Sequence, residues 1–366
     1  MTDHPSPDYS GGSLLNLMAE FEQRLTGSAR AETLHTHLAD SIPAATTYVL
    51  MLFDGLGDHQ LEHPAAAALR AARVAPFDAV FPTTTSVNLA TIATGLAPAA
   101  HGLIAHQLYL PAVNQVVNTL KWATPWGDPV EIDHGSFLPG PNLWERLRAG
   151  GIEPITVQPG HFQNSPLSRV LYRGCRYEPV WSMEEIVDAT VQLAHVPGRF
   201  IFTYFPNVDV AAHVHGQASD EYAAAISAAA SIWDRIAAAL PSQATMVGSA
   251  DHGHLDYAER DKVFIPHRAG PEFYGDPRGV LVRRVDDELT SAINGIPGRV
   301  VAGAEYRAWL GAGAEHHDLA GRLPEKVLLA NPGRLLIARF MDKRLTGYHG
   351  GLAEGELVIP LLVTGA

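Results

Sequence analysis

Residues 47–57 read TYVLMLFDGLG, an apolar run from Thr47 to Phe53 that stops abruptly at Asp54 and a glycine turn. A strand with one wet face alternates apolar and polar residues. A run without alternation predicts a strand covered on both faces, as in a parallel sheet. Similar segments recur at 152–159 (IEPITVQP), 199–205 (RFIFTYF), 244–253 (ATMVGSADHG) and 356–363 (ELVIPLLV). Helical patterns lie between them. SLLNLMAEFEQRL (13–25) is amphipathic, 65–73 is Ala-rich, and FPTTTSVNLATIATGL (81–96) is a turn opening a helix with Gly95 near its end. NLWERLRAGG (142–151) stops on glycine, and SDEYAAAISAAASIWDRIAAAL (219–240) begins with a Ser/Asp cap. Strands alternating with helices predict an α/β fold: a mostly parallel central sheet with helices on both faces.

Residues 258–345 break this rhythm. GVLVRRV, GRVVAGAEYRAWL and GRLLIARF are separated by Pro/Gly loops, which predicts a small α+β cap inserted into a core made of 13–257 and 346–366. Residues 1–12 are polar and rich in Pro, Gly and Ser, and are expected to be disordered.

The chain has 366 residues, enough to bury a large core without staples, and its single cysteine, Cys175, permits no intrachain disulfide. A formal net charge of −13 argues against broad binding to nucleic acid or anionic membranes. It leaves room for a small anionic substrate, because bound divalent cations reverse the local field. There is neither a basic-then-apolar leader nor a run long enough to span a membrane, so a cytoplasmic protein is expected.

Ligands of open α/β sheets bind beyond the carboxyl ends of the strands. Asp54, Asp209 and Asp251 each follow an apolar run and are expected along one sheet edge. A single Asp there is as often a turn or capping residue; three, two of them with histidines attached, strain that explanation. Asp209 and His213 are spaced i, i+4, one face of a helix. His215 falls off that face. Asp251-His252 is an adjacent pair in a glycine-flanked loop, and His254 is expected in a supporting or surface position. His349 sits in GYHGGL, where glycines give no apolar wall for a core histidine. Asp/His sets of this kind suit zinc better than Mg²⁺ or Ca²⁺. Thr83, Thr84 and Thr85 precede a helix, whose N-terminus suits a phosphate, and metal coordination can activate a threonine hydroxyl. The alternative for a threonine before a helix is a plain N-cap. Asn88, one turn on, is a candidate donor to a phosphoryl oxygen, or simply a surface Asn.

In combination, FPTTTSVN…TGLAPAAHGL, DGLG, the Asp-x₃-His of VDVAAH, the ADHG loop and HGGL…VIPLL resemble, in chain order, the type I phosphodiesterase/nucleotide pyrophosphatase family of the alkaline phosphatase superfamily. The resemblance runs from Tyr48 to Leu362. It implies an alkaline phosphatase-like fold with an inserted cap, two zinc ions, and a Thr or Ser nucleophile. Carried over by position, Asp209, His213 and His349 hold one metal. Asp54, Asp251, His252 and the nucleophile hold the other. The nucleophile falls on Thr85, with Thr84 as runner-up, and Asn88 takes the phosphate-binding role. The family's common K-T-F-P-N reads here Thr84-Thr85-Ser86-Val87-Asn88. The residues that shape a nucleotide site in many members are missing, so the reaction class is implied and nucleotide specificity is not.

The expected activity is hydrolysis of a small phosphodiester or pyrophosphate through a phosphothreonine. A phosphomonoesterase or a phosphonate hydrolase of the phosphonoacetate type would use the same site. A metal-binding protein without turnover is the alternative from another class. Trp122, Trp126, Tyr109 and Phe162 are candidates for an apolar shelf under a second ester group, and Lys121, Arg169 or Arg173 for charge opposite a second anionic oxygen.

Overall fold

The computed structural model describes residues 6–265 and 273–364. Its largest sheet has seven strands in the order Arg73–Asp78, Val358–Val363, Ala244–Ser249, Thr47–Phe53, Arg199–Phe205, Glu153–Pro159, Arg176–Val180. The last five pair in parallel, and Val358–Val363 runs antiparallel to both its neighbours. The expected mostly parallel α/β sheet flanked by helices is present. Thr47–Phe53 lies mid-sheet and is buried at every position, which is why its sequence shows no alternation.

The two edge strands, Arg73–Asp78 and Arg176–Val180, were not evident in the sequence. They are largely half-exposed and carry Pro76 and Pro179, so they lack an apolar run; an edge tolerates proline because part of its ladder is unpaired. The Ala-rich stretch expected to be helical from 65 to 73 is α-helical only over Ala67–Ala71, and Arg73 already begins the edge strand.

Within 258–345 lies a four-stranded antiparallel sheet, in the order Phe273–Asp276, Gly279–Val282, Lys326–Ala330, Gly298–Ala302, with the helices Asp287–Asn294 and Gly303–Trp309. Its residues alternate between two cores. Leu281, Val327 and Leu329 join the main core, whereas Val280, Val282, Leu328 and Ala330 form a second one with Leu289 and Ile293. GRLLIARF does not join this sheet; Leu335–Ile337 pairs in parallel with Lys262–Phe264. Part of the expected cap, residues 266–272, lies outside the described residues, as do residues 1–5 of the segment expected to be disordered. Residues 6–12 depart from that expectation by docking on the core. The Asp8 N–H donates to the Asp78 carboxylate at 2.9 Å, and the Tyr9 hydroxyl donates to the Trp309 carbonyl at 2.9 Å. Among the described residues no helix is long and apolar enough to cross a membrane.

Candidate metal centre

Strand register assembles the carboxylates. Phe53 is paired with Phe205, and Leu52 with Ser249, so three chains leave the sheet side by side. Asp54, Asp209 and Asp251 are among the first residues past those ends. The Asp54 N–H donates to the Phe205 carbonyl at 3.0 Å, and the Gly55 N–H donates to Asp251 Oδ1 at 3.2 Å. Gly55 has φ +74°, and a Cβ there would come within 2.9 Å of the Asp209 Cα. Only glycine lets this turn sit against Asp209.

Asp209 and His213 lie one turn apart on the helix Asn207–His215, with His213 Nε2 3.4 Å from Asp209 Oδ1. His349 arrives from the other end of the chain. Gly347–Tyr348 pairs antiparallel with Leu255–Asp256, which zips the GYHGGL loop onto the loop that carries Asp251 and His252. Thr83 clamps it further. Its carbonyl accepts from His349 Nδ1 at 2.7 Å, and its hydroxyl accepts from the Gly350 N–H at 3.1 Å and donates to the Gly351 carbonyl at 2.8 Å.

Two adjoining clusters result. In one, His213 and His349 each donate Nδ1–H to a carbonyl, of Gly347 and Thr83, at 2.7 Å. With both rings neutral, both Nε2 atoms carry lone pairs, and they lie 3.1 Å apart beside the Asp209 carboxylate. Two facing lone pairs repel unless a cation lies between them. In the other, His252 Nδ1 donates to the Gly253 carbonyl at 3.1 Å, which turns a lone pair on Nε2 toward Thr85 Oγ1 at 3.2 Å. Asp54 Oδ1 and Asp251 Oδ2 each lie 3.5 Å from the same nitrogen, and both are buried with no hydrogen-bond partner. Orphaned carboxylate oxygens beside an imidazole lone pair are the donor set of a borderline divalent cation. The rings of His252 and His349 stack at 3.6 Å, so the clusters abut.

The electrostatics agree. Burial, then the charges of Asp251 and Asp209, push the Asp54 carboxyl well above its usual range, although the Tyr204 hydroxyl donates to it. Burial, then Asp209, raises Asp251 to about 7. Burial opposes ionisation of Asp209 too, yet His213, His254 and His349 hold it well below the usual carboxylate range. Burial lowers His252 to about 3, and burial with three neighbouring imidazoles lowers His349 well below normal. Buried carboxylates crowded together in this way call for positive charge.

The seven residues singled out from sequence as ligands, Asp54, Thr85, Asp209, His213, Asp251, His252 and His349, all converge here. His254 does so as well. It is buried, its Nε2 lies 2.6 Å from Asp209 Oδ1, and it groups with Asp209, His213 and His349, so it is not at the surface. Its spacing of two from His252, just ahead of a strand, was the available signal: residues i and i+2 of an extended segment share a side.

Asn88 is placed otherwise. It is buried, its Oδ1 accepts from the Val80 N–H at 2.9 Å, and its Nδ2 faces the carbonyls of Val80, Pro82 and Thr84 at 3.2–3.4 Å. The amide is spent on the loop before Thr85, which it clamps, and is not turned to a phosphate. Thr84 is the N-cap of the helix Thr85–Thr94, and Thr85 is its first residue.

A cavity of about 930 Å³ opens over Thr85, Asp209, His213 and His349, and the segment from Ile337 to Leu345 supplies one wall. Lys121 lines it, together with Arg339 and Lys343. Trp122 and Tyr109 do not. Trp122 is buried against Phe137, and Tyr109 lies under the Arg283 guanidinium with its hydroxyl on Asn114. Trp126 stands at the rim against the lining residue Phe340, ring centroids 4.5 Å apart. Arg173 is engaged by Glu145 at 2.9 Å, and neither it, Arg169 nor Phe162 lines the cavity.

A family model described as type I phosphodiesterase/nucleotide pyrophosphatase matches residues 48–351, a span that contains every proposed ligand. The chain belongs to that family. Its members are metal-dependent phosphoester hydrolases, and this chain is one of them. Among solved structures, murine ectonucleotide pyrophosphatase/phosphodiesterase 5 is similar with a TM-score of 0.67 and 17% identity, over 87% of this chain and 88% of that one. An inactive variant of the murine protein, similar at a TM-score of 0.65 and 16% identity over 86% and 87% of the two chains, was solved with AMP. Phosphonoacetate hydrolase from Sinorhizobium meliloti 1021, in complex with phosphonoacetate, has a TM-score of 0.63 and 18% identity, over 88% and 91%. At these identities the likeness is one of fold. No curated protein sequence matches the chain.

Proposed function

We propose that this family member hydrolyses a phosphodiester or pyrophosphate through a phosphothreonine at Thr85, at a site holding two divalent cations, zinc by the chemistry of its donors. Asp209, His213 and His349 would hold one cation, and Asp54, Asp251, His252 and Thr85 the other. Bound there, the cations would acidify the threonine hydroxyl and offset charge on the leaving oxygen. The observation that carries the reading is the convergence of the His252 lone pair and two orphaned, buried carboxylate oxygens beside the Thr85 hydroxyl, which lines the cavity.

Thr85 Oγ attacks phosphorus. A P–O bond forms to threonine, the bond to the leaving group breaks, and the leaving group carries the proton away. Water then attacks the phosphothreonine, releasing the phosphate product and restoring the hydroxyl. As first residue of its helix, Thr85 presents the phosphoryl group to unpaired N–H groups and a partial positive charge. The cavity's volume of about 930 Å³ favours a substrate with a bulky second group. Lys121, Arg339 and Lys343 on its wall favour a second reading, a substrate with a further anionic group such as a polyphosphate or a carboxylated phosphonate.

The test is hydrolysis of bis-p-nitrophenyl phosphate with and without a zinc chelator, and mass spectrometry of enzyme quenched during turnover. A phosphoryl adduct on Thr85 is expected. Wild-type turnover by Thr85→Ala would remove the nucleophile assignment, and activity unchanged by chelation would remove the metals. A panel of p-nitrophenyl phosphate, a dinucleoside polyphosphate and phosphonoacetate separates the two substrate readings.

A further inference from the structure

With Asn88 spent on its own loop, the phosphoryl oxygens need another side-chain donor. We propose that His106 supplies it, as a neutral Nδ1–H donor to a non-bridging oxygen of the bound phosphoryl group; this rests on the phosphoryl-transfer reading above. His106 lines the cavity together with Thr84, Thr85, Asp209, His213 and His349.

Its tautomer is set by a relay on the cavity wall. The N–H groups of Leu120 and Lys121 both donate to Asn118 Oδ1 at 3.0 Å, which fixes the orientation of that amide. Asn118 Nδ2 therefore donates, and it meets His106 Nε2 at 3.1 Å. That nitrogen accepts, so the ring proton resides on Nδ1. The backbone of His106 is anchored on both sides. Its N–H donates to Asp276 Oδ2 at 3.3 Å, and its carbonyl accepts from the Thr119 N–H at 2.8 Å and the Thr119 hydroxyl at 2.9 Å. Burial, then the charges of His213 and Lys121, lowers the imidazole to about 4, which keeps it uncharged at neutral pH. A fixed neutral donor can stabilise charge that grows on an oxygen without reorganising and without repelling cations beside it.

Three variants test this, all as metal-loaded protein. His106→Leu fills the space without a donor. His106→Asn keeps an N–H near the Nδ1 position. Asn118→Asp keeps the Leu120 and Lys121 contacts but turns the group facing His106 into an acceptor; assayed at alkaline pH, where the ring is neutral even beside a carboxylate, it draws the single ring proton onto Nε2 and leaves Nδ1 bare. With bis-p-nitrophenyl phosphate, His106→Leu and Asn118→Asp should each lose on the order of 10²-fold in kcat, with zinc content unchanged. Both should bind orthovanadate more weakly, and His106→Asn should recover at least about tenfold of the kcat loss. Wild-type kcat in Asn118→Asp, or equal losses in His106→Leu and His106→Asn, would overturn the assignment. Should His106→Leu fail to fold, Asn118→Asp decides alone, since it leaves the ring in place. If the wild-type protein neither turns over the diester nor binds orthovanadate, the phosphoryl-transfer reading itself falls, and His106 with it.

Discussion

Metal uptake at this site should expel protons, and those protons should come from carboxyls. His252 and His349 are already neutral, with pKa values pushed below the ordinary imidazole range, and Asp209 is already ionised. The protons to be displaced sit on Asp251, near 7, and on Asp54, whose carboxyl is held well above its usual range. Below pH 7 each unit of pH lowers the ionised fraction of Asp251 tenfold, about 1.4 kcal/mol. From pH 8 to pH 6 this group alone should weaken apparent zinc affinity about tenfold, and Asp54 adds to that. Zinc titrations by calorimetry at pH 6.5, in two buffers of different ionisation enthalpy, should report about one to two protons released.

The sign reverses for stability without metal. A carboxyl whose folded pKa lies above its unfolded value stabilises at low pH and loses that contribution as pH rises through the folded value. In chelator-treated protein the contribution of Asp54 and Asp251 should therefore be lost between about pH 4 and pH 7, while His252 and His349, held neutral in the fold, act in the opposite direction as pH rises, so the carboxyl contribution is read as the difference between Asp251→Asn and the parent protein. Zinc affinity independent of pH between 6 and 8, or no proton release at pH 6.5, would refute the reasoning, because Asp54 and Asp251 would then already be ionised.

Replacing His254 with Phe removes the group that donates to Asp209; zinc affinity should fall about 10–100-fold with the stoichiometry kept, as read by competition with a chelating dye. Glu356→Gln leaves the Arg278 guanidinium, buried and 3.1 Å from that carboxylate, without its counter-charge. Urea unfolding should show a loss of about 3–5 kcal/mol, most of it regained in the Arg278→Met/Glu356→Leu double variant. Asn88→Ala should cost roughly 1–3 kcal/mol of stability by stranding the Val80 N–H; a fall in kcat with stability intact would restore Asn88 to a direct phosphate-binding role. If His349 holds a cation as proposed, chelation should raise proteolytic cleavage in the 347–353 loop, which would keep only its contacts to Thr83, Glu356 and Leu255–Asp256, and an unchanged digestion pattern would count against that.

What the sequence revealed, and what it hid, follow from how each residue is held. The ends of Thr47–Phe53, Arg199–Phe205 and Ala244–Ser249 were legible because strands covered on both faces leave uninterrupted apolar runs, and the carboxylates follow those ends. Asp209 and His213 were legible because helical spacing is local. The edge strands Arg73–Asp78 and Arg176–Val180 left no such pattern. Side-chain direction was harder still. The sequence put Asn88 one turn from Thr85, but whether its amide faced substrate or the Val80 backbone depended on the path of the preceding loop. Trp122 and Trp126 look alike in sequence. One is buried against Phe137 and the other stands at the cavity rim, and nothing local distinguishes them.

The segment 258–345 bears on the proposed site through connectivity. His213 and His349 face each other across 136 residues of chain, a stretch that includes the four-stranded sheet and its helices. A cation held by both would close that long loop, and closing it costs entropy mainly in the unfolded chain, so the clip stabilises the folded state. The segment 258–345 in turn holds the His349 side of that proposed clip. Arg278, beside its first hairpin, holds the Glu356 carboxylate, which accepts from the Gly351 N–H at 3.1 Å, two residues from His349. The same segment lines the cavity from Ile337 to Leu345. Residues of 258–345 thus bear both on the position of His349 and on the shape of the space in front of it. Changes there that alter which substrate fits should therefore be hard to separate from changes in how firmly the proposed Asp209 cluster would hold a cation.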